Sequence, residues 1–253
     1  MDLGLADRVY VLTGASRGLG FAAAECLVAD GARVVISART PERVDDAVQR
    51  LGGPERAAGI AADLADADTA ERLVAEAQAR FGRLDGALIS VGGPPPGTAA
   101  QISDDQWRTS FETVFVGSVR AARTVAKALT AGGVIGFVLS TSVRSPLRGL
   151  GISNGLRPGL AGVAKDMADE YGPQGIRVFG LMPHRVLTDR IVELTAAAPD
   201  PERAQAEAEA AIPLRRSGQP AEFGRVAAFL LSPAASYLTG LSVPVDGGAL
   251  RSL

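Results

Sequence analysis

Short, unbroken apolar runs recur along the chain at residues 9–12, 34–36, 87–89, 134–139 and 178–182. Runs of this length without polar alternation are the pattern of strands buried on both faces. Between them the apolar positions take a helical period. Val44, Ala47, Val48 and Leu51 fall at i, i+3, i+4 and i+7, and Ala70, Leu73, Val74, Ala77 and Phe81 continue the period, so each segment carries one apolar stripe. Thr40 before Pro41, and Ser103 with Gln106 as a capping box, mark helix starts. Strand, helix, strand repeated without an internal linker predicts a parallel sheet with helices on both faces, one domain over residues 1–253.

Two stretches break this rhythm. GGPPPG at 92–97 can continue neither a strand nor a helix, so the chain turns sharply at a carboxyl end of the sheet. Residues 190–216 are rich in Ala and Glu and divided by Pro199, Pro201 and Pro213, which predicts two short helices outside the sheet. They form either a lid over a site or a solvated insertion.

Composition narrows the function classes. Twenty-six Lys plus Arg against 28 Asp plus Glu leave a net charge of -2, no field for nucleic acid or an anionic membrane surface. No apolar run approaches the roughly 18 residues of a membrane span. The lone Cys26 has no intrachain disulfide partner and reads as a small helix-core residue, and the start MDLGLADR lacks the basic-then-apolar layout of a signal peptide. A cytoplasmic location is the expectation. Thirty glycines and 5% aromatics indicate many tight turns and a core of small aliphatics, as in α/β enzymes.

TGASRGLG at 13–20 follows the first apolar run directly and opens a helix. Gly14, Gly18 and Gly20 permit a tight turn and close backbone approach to a pyrophosphate, whose charge the unpaired amides of the helix start stabilise. Ser16, Arg17 and Leu19 complete this loop. The second strand ends in Ser37, Ala38 and Arg39, where an NAD site usually places a carboxylate for the ribose 2′-hydroxyl. Without that carboxylate a 2′-phosphate is not repelled, and Arg39 with Arg17 can pair with it, which favours NADP over NAD.

This loop resembles the glycine motif of the short-chain dehydrogenase/reductase family, and the resemblance extends over nearly all 253 residues. Asp63 and Leu64 resemble its adenine contact. GPQGIRVF at 172–179, PHRVLT at 183–188 with Thr188, and SYLTGLSVPVDGG at 236–248 are similar to its later landmarks, and the 3-oxoacyl-ACP-reductase-like branch is the nearest in flavour. The resemblance implies a single doubly wound (Rossmann) domain of about seven mainly parallel strands. It also implies a homodimer or homotetramer, for which Gly155, Gly159 and Gly162 would allow close helix approach, unless they pack within one chain.

The family carries Asn, Ser, Tyr and Lys at its reaction centre. Aligned on residues 162–165, this chain has Ser153 at the tyrosine position and Arg157 at the lysine position, with Val114 at the asparagine position. Ser142 matches the serine with a shortened loop before Ser153, and Ser140 is the alternative without that deletion. Of the family's NNAG stretch, read here as Ile89, Ser90, Val91 and Gly92, only Gly92 is retained. A serine hydroxyl is a far weaker acid than a phenol, and an arginine holds its proton, so Ser153 and Arg157 do not inherit the proton-donor roles.

His184, the only histidine, occupies the family's glycine position after Pro183 and can donate a proton near neutral pH. Arg144, Arg148, Arg157 and Arg185 fall in segments bordering the same cleft and can hold a carboxylate or phosphate. Three readings follow: an NADP-dependent oxidoreductase acting on a small carbonyl or alcohol through an altered proton path, an NADP-binding sensor or inactive subunit, and a lyase or isomerase without net redox. Binding of NADPH without its consumption separates the second from the first. A substrate-dependent reaction without any change in NADPH reveals the third.

Overall fold

The computed structural model describes residues 2–252. Seven strands, β1 Val9–Leu12, β2 Arg33–Ala38, β3 Ala57–Ala61, β4 Gly86–Ile89, β5 Val134–Val138, β6 Arg177–Pro183 and β7 Ser242–Val245, form one sheet in the order β3-β2-β1-β4-β5-β6-β7. Every neighbouring pair is parallel. The order reverses between β1 and β4, which opens a crevice beyond their carboxyl ends.

Alternation along each strand splits the core into two layers. Val9 and Val11 of β1 join Leu73 and Val74 of α3 (Thr69–Phe81), Val125 of α5 (Gly117–Ala128) and Leu160 and Met167 of α6 (Gly151–Tyr171) on one face. Tyr10 and Leu12 join Phe21 and Leu27 of α1 (Gly18–Ala29), Ala47 of α2 (Pro41–Arg50) and Phe223 and Leu231 of α9 (Pro220–Leu231) on the other. The helix stripes of α2 and α3 thus face the sheet as their periodicity predicts.

The strand β3 has no long apolar run because it is an edge strand whose AAGIA must accept a helix at close range. A Cβ on Gly59 would lie 2.3 Å from Val44 Cγ1 of α2. Pro41 opens α2, although the Thr40 side chain makes no capping bond. Ser103 and Gln106 do form a capping box, opening α4 (Asp104–Ser110). A π-helical turn, Phe111–Val116, joins α4 to α5, and it turns the buried Val114 toward the crevice.

The remaining helices, α7 (Asp189–Ala196) and α8 (Pro201–Ala210), lie outside the sheet, where the proline-divided segment predicts them. Two of the three glycines read as allowing close helix approach are occupied within the chain: added Cβ atoms on Gly155 and Gly159 would lie 3.0 Å from the Trp107 ring and 3.1 Å from the Phe115 ring. Among the described residues no helix is long and apolar enough to cross a membrane, and no cluster of three or more His, Cys, Asp or Glu is placed to hold a metal.

Candidate active site

The crevice is a cleft of about 810 Å³, lined from the ends of β2, β5 and β6 and from the segments that follow β1, β3 and β4. At one end the chain leaves β1 through Thr13, whose hydroxyl donates to the Ser90 carbonyl at 2.7 Å, while the Ser90 amide donates back at 2.9 Å. This reciprocal pair ties the glycine loop to the loop after β4. Gly14 turns in the left-handed region, at φ 58°, and a Cβ there would lie 2.8 Å from the Ser90 carbonyl oxygen. A Cβ on Gly20 would stand 2.9 Å from the Gly14 oxygen, so the loop folds on itself too tightly for side chains. Arg17 occupies the N-cap of α1 in an extended conformation and its side chain makes no capping bond, so the first-turn amides remain free for an anion.

Each residue singled out for cofactor binding lines this cleft: Gly14, Ser16, Arg17, Gly18, Leu19, Gly20, Arg39, Asp63, Leu64, Gly92 and Thr188. Asp63 turns the chain locally by accepting from the Ala65 amide at 3.0 Å. Arg43, in the first turn of α2, also lines the cleft, and both Arg39 and Arg43 are exposed. Arg17 stands 3.6 Å from the Asp189 carboxylate and 3.7 Å from that of Glu193, linking the glycine loop to α7. Arg190 fixes the other side of α7, donating to the Gly93 carbonyl at 2.8 Å and the Pro94 carbonyl at 2.6 Å.

The other end of the cleft collects Val114, Ser140, Ser153, Arg157 and His184. Ser140, at the end of β5, faces it, and the Ser140 hydroxyl accepts from the Ser142 amide at 3.1 Å. Ser142 does not line the cleft. It is 2% exposed and its Oγ sits 3.0 Å from Ser153 Oγ, behind the wall. The serine after β5 that lines the cleft is therefore the half-buried Ser140, the register without a deletion, because the short 3-10 turn Thr141–Val143 carries residue 142 inward. Arg144, Arg148 and Arg185 do not line the cleft either. Arg144 and Arg148 are exposed, while Arg185 is spent on Thr195 at 2.7 Å and Gln205 at 2.6 Å.

Arg157 is 5% exposed, and its Nη1 donates to the Val138 carbonyl at 2.5 Å. Burial, reinforced by the like charge of Arg190, pushes its pKa down to about 10, which still leaves it cationic at neutral pH. His184 Nδ1 lies 3.1 Å from Thr141 Oγ1, leaving Nε2 as the nitrogen available to a substrate. Burial lowers the His184 pKa, with Asp246 opposing and Arg185 adding to the shift. No tyrosine or lysine is among the described residues that line the cleft. Tyr10 is buried beneath the sheet and donates to the Leu231 carbonyl at 3.2 Å. Burial also raises the Cys26 pKa, which holds it as an unreactive thiol.

Three participants escaped sequence reasoning. Arg43 had a readable signal, its place in the first turn of α2. Arg190 and Thr141 had none, because their partners lie 97 and 43 residues away in sequence, on the loop after β4 and on the segment after β6.

A parallel doubly wound sheet with a glycine turn leading into a helix at its switch point defines a fold of the Rossmann class. The sequence matches the family described as enoyl-(acyl carrier protein) reductase over residues 14–249, and the chain belongs to the short-chain dehydrogenase/reductase family. It is 34% identical over 249 residues to an uncharacterized oxidoreductase of Mycobacterium tuberculosis, covering 96% of this chain and 92% of that one. It is 32% identical over 251 residues to the A-factor type gamma-butyrolactone 1'-reductase (1S-forming) of Streptomyces virginiae, covering 96% of each. The fold is similar to that of L-sorbose reductase from Gluconobacter frateurii complexed with NADPH and L-sorbose, with a TM-score of 0.91, 29% identity and full coverage of both chains.

Proposed function

We propose that the chain is an NADP-dependent oxidoreductase for a small carbonyl or alcohol substrate, working without the phenol and ammonium that its family uses. The observation that carries this reading is the continuity of the cleft, from an anion-receptive glycine loop flanked by Arg17, Arg39 and Arg43 to the cluster of Ser140, Ser153, Arg157 and His184. NADPH, when bound, supplies the hydride. The residues fit it: the loop excludes side chains where phosphates approach, and free amides and cationic groups border it. The solved relative that holds NADPH and L-sorbose supports the same assignment.

Residues 190–216 act as the lid. Both carboxylates facing Arg17 are exposed, so each ion pair is worth only about 0–1 kcal/mol and yields readily to a phosphate. Arg190 keeps the lid attached to the loop after β4 while Arg17 changes partner. NADPH is expected to bind at least about tenfold more tightly than NADH, a difference near 1.4 kcal/mol. In Arg39→Ala most of that preference is expected to disappear in fluorescence titrations. An unchanged preference would remove Arg39 from the 2′-phosphate site.

Reduction of a carbonyl leaves an alkoxide that needs a proton, and we assign that role to His184, a titratable group that lines the cleft. Only the imidazolium donates, and the His184 pKa lies below its ordinary value, so kcat for reduction is expected to rise as pH falls through that lowered pKa. Alcohol oxidation needs the neutral imidazole as base and is expected to show the opposite profile. His184→Ala should flatten both profiles and lower kcat by about 10², with NADPH affinity unchanged because the loop of Gly14 to Gly20 is intact. A profile indifferent to this change would exclude His184 as the donor.

The second reading, an NADP-binding protein without turnover, draws on the lack of tyrosine and lysine in the cleft. NADPH binding and substrate-dependent NADPH oxidation, measured on one preparation against a panel of carbonyl compounds, separate the two.

A further inference from the structure

The reaction end of the cleft holds a buried cation with no counter-ion. Arg157 is 5% exposed, and only one of its five N–H donors is spent within the protein, on the Val138 carbonyl. The one charge acting strongly on it among the described residues is Arg190, which repels it. Burial of an unpaired charge is costly, and folded proteins retain such a group where a ligand completes it. Arg157 lies one helical turn after Ser153 on α6, so both side chains emerge on the same face and line the same wall. Ser140 lines the same end of the cleft, two residues beyond the Val138 carbonyl that Arg157 holds. The site therefore offers a planar fork of guanidinium donors flanked by two hydroxyls.

We infer that Arg157 and Ser153 form a carboxylate-binding subsite, and that the substrate is an oxo acid or hydroxy acid whose carboxylate lies close to the reacting carbon. A carboxylate matches the site better than a phosphate. It is planar, it accepts two parallel hydrogen bonds from one guanidinium, and its single charge equals that of Arg157. Arg190, the other cation at hand, is already committed to the Gly93 and Pro94 carbonyls and does not supply the second charge a phosphate dianion needs. The subsite also explains why arginine is tolerated where the family resemblance points to lysine: here the side chain holds the substrate's anionic end. The inference builds on the oxidoreductase reading only in placing a reacting carbon beside the carboxylate.

The test is calorimetric titration of the NADP-loaded protein with oxamate, a non-reducible oxo-acid mimic, and with oxamide, its neutral counterpart of similar shape. Oxamate is expected to bind at least tenfold more tightly than oxamide, and Arg157→Met to abolish that difference. Because methionine replaces an uncompensated buried charge, this variant is expected to fold and to melt no lower than the wild type. Arg157→Lys, which keeps the charge and loses the fork, should retain an intermediate preference. Equal binding of the two probes, absence of oxamate binding, or a preference that survives in Arg157→Met would overturn the subsite; tighter binding of methylphosphonate than of oxamate would overturn its assignment to carboxylates.

Turnover is scored separately, with 2-oxo acids against their methyl esters. A carboxylate preference in binding without NADPH oxidation would leave the subsite standing and refute the oxidoreductase reading. NADPH oxidation at equal kcat/KM for acids and esters would do the reverse.

Discussion

With neutral ketones the wild-type protein is expected to turn over below about 0.1 s⁻¹, and Ser153→Tyr combined with Arg157→Lys to raise that rate by about 10². The figure follows from a median kcat near 10 s⁻¹ divided by the 10²–10⁴-fold that a positioned general acid contributes, taken as rough central values. His184 offsets the loss only in its protonated fraction, which burial keeps small at neutral pH. Tyrosine at 153 would start from a side chain that already lines the cleft, and lysine at 157 would lie one turn along the same helix face, close enough to lower the phenol pKa. The gain has a cost. Lysine gives up the guanidinium fork, so the double variant should reduce neutral ketones faster while it binds oxamate more weakly than the wild type. Steady-state NADPH oxidation checks the first effect and calorimetry the second. Rapid wild-type reduction of neutral ketones, or a double variant that folds and binds NADPH without any gain, would show that the missing phenol is not what limits the reaction.

What could be read from the chain depended on the range of the interactions concerned. Strands β1, β2, β4, β5 and β6 announced themselves because both faces are buried, and apart from Arg33 and Ser37 of β2 and Arg177 of β6 their sequences are correspondingly apolar. The edge strands β3 and β7 did not, since β3 gives up side-chain bulk to Val44 of α2 and β7 is only half-buried. The glycine-loop end of the cleft was legible because the glycine turn, its strand and its helix are contiguous in sequence. The reaction end is assembled from α6, the turn after β5 and the segment after β6. There a two-residue ambiguity decided which serine faces the cleft, and only the inward swing of the 3-10 turn resolves it in favour of Ser140. Grouping four arginines by nearby segments failed for three of them for the same reason, with Arg157 alone lining the cleft. Arg185 points to α7 and α8, and Arg190, absent from that group, reaches the cleft wall.

Gly14→Ala is expected to destabilise the fold by about 2–5 kcal/mol, whereas Gly18→Ala, four residues along the same loop, costs only about 1–2 kcal/mol. Both glycines are left-handed, at φ 58° and 61°, so each alanine bears the conformational cost of roughly 1–2 kcal/mol that an L side chain meets there. Their surroundings differ. The Gly18 position opens toward Thr188, whose Cγ2 would sit at an ordinary 3.5 Å from the new methyl group. At Gly14 the methyl group would press on the Ser90 carbonyl oxygen at 2.8 Å, and that oxygen is backbone and cannot rotate away. It can retreat only by breaking the hydrogen bond it accepts from Thr13, which couples the loops after β1 and β4, so an overpacking cost of about 1–3 kcal/mol is added. Urea denaturation of the two variants ranks them. On the proposed NADP assignment, NADPH should stabilise the folded state and raise the midpoint by mass action, and that rise should shrink in Gly14→Ala, where the glycine loop itself is displaced. Equal midpoints for the two variants would mean that the Ser90 carbonyl moves aside freely, and that the glycine loop is not braced against β4.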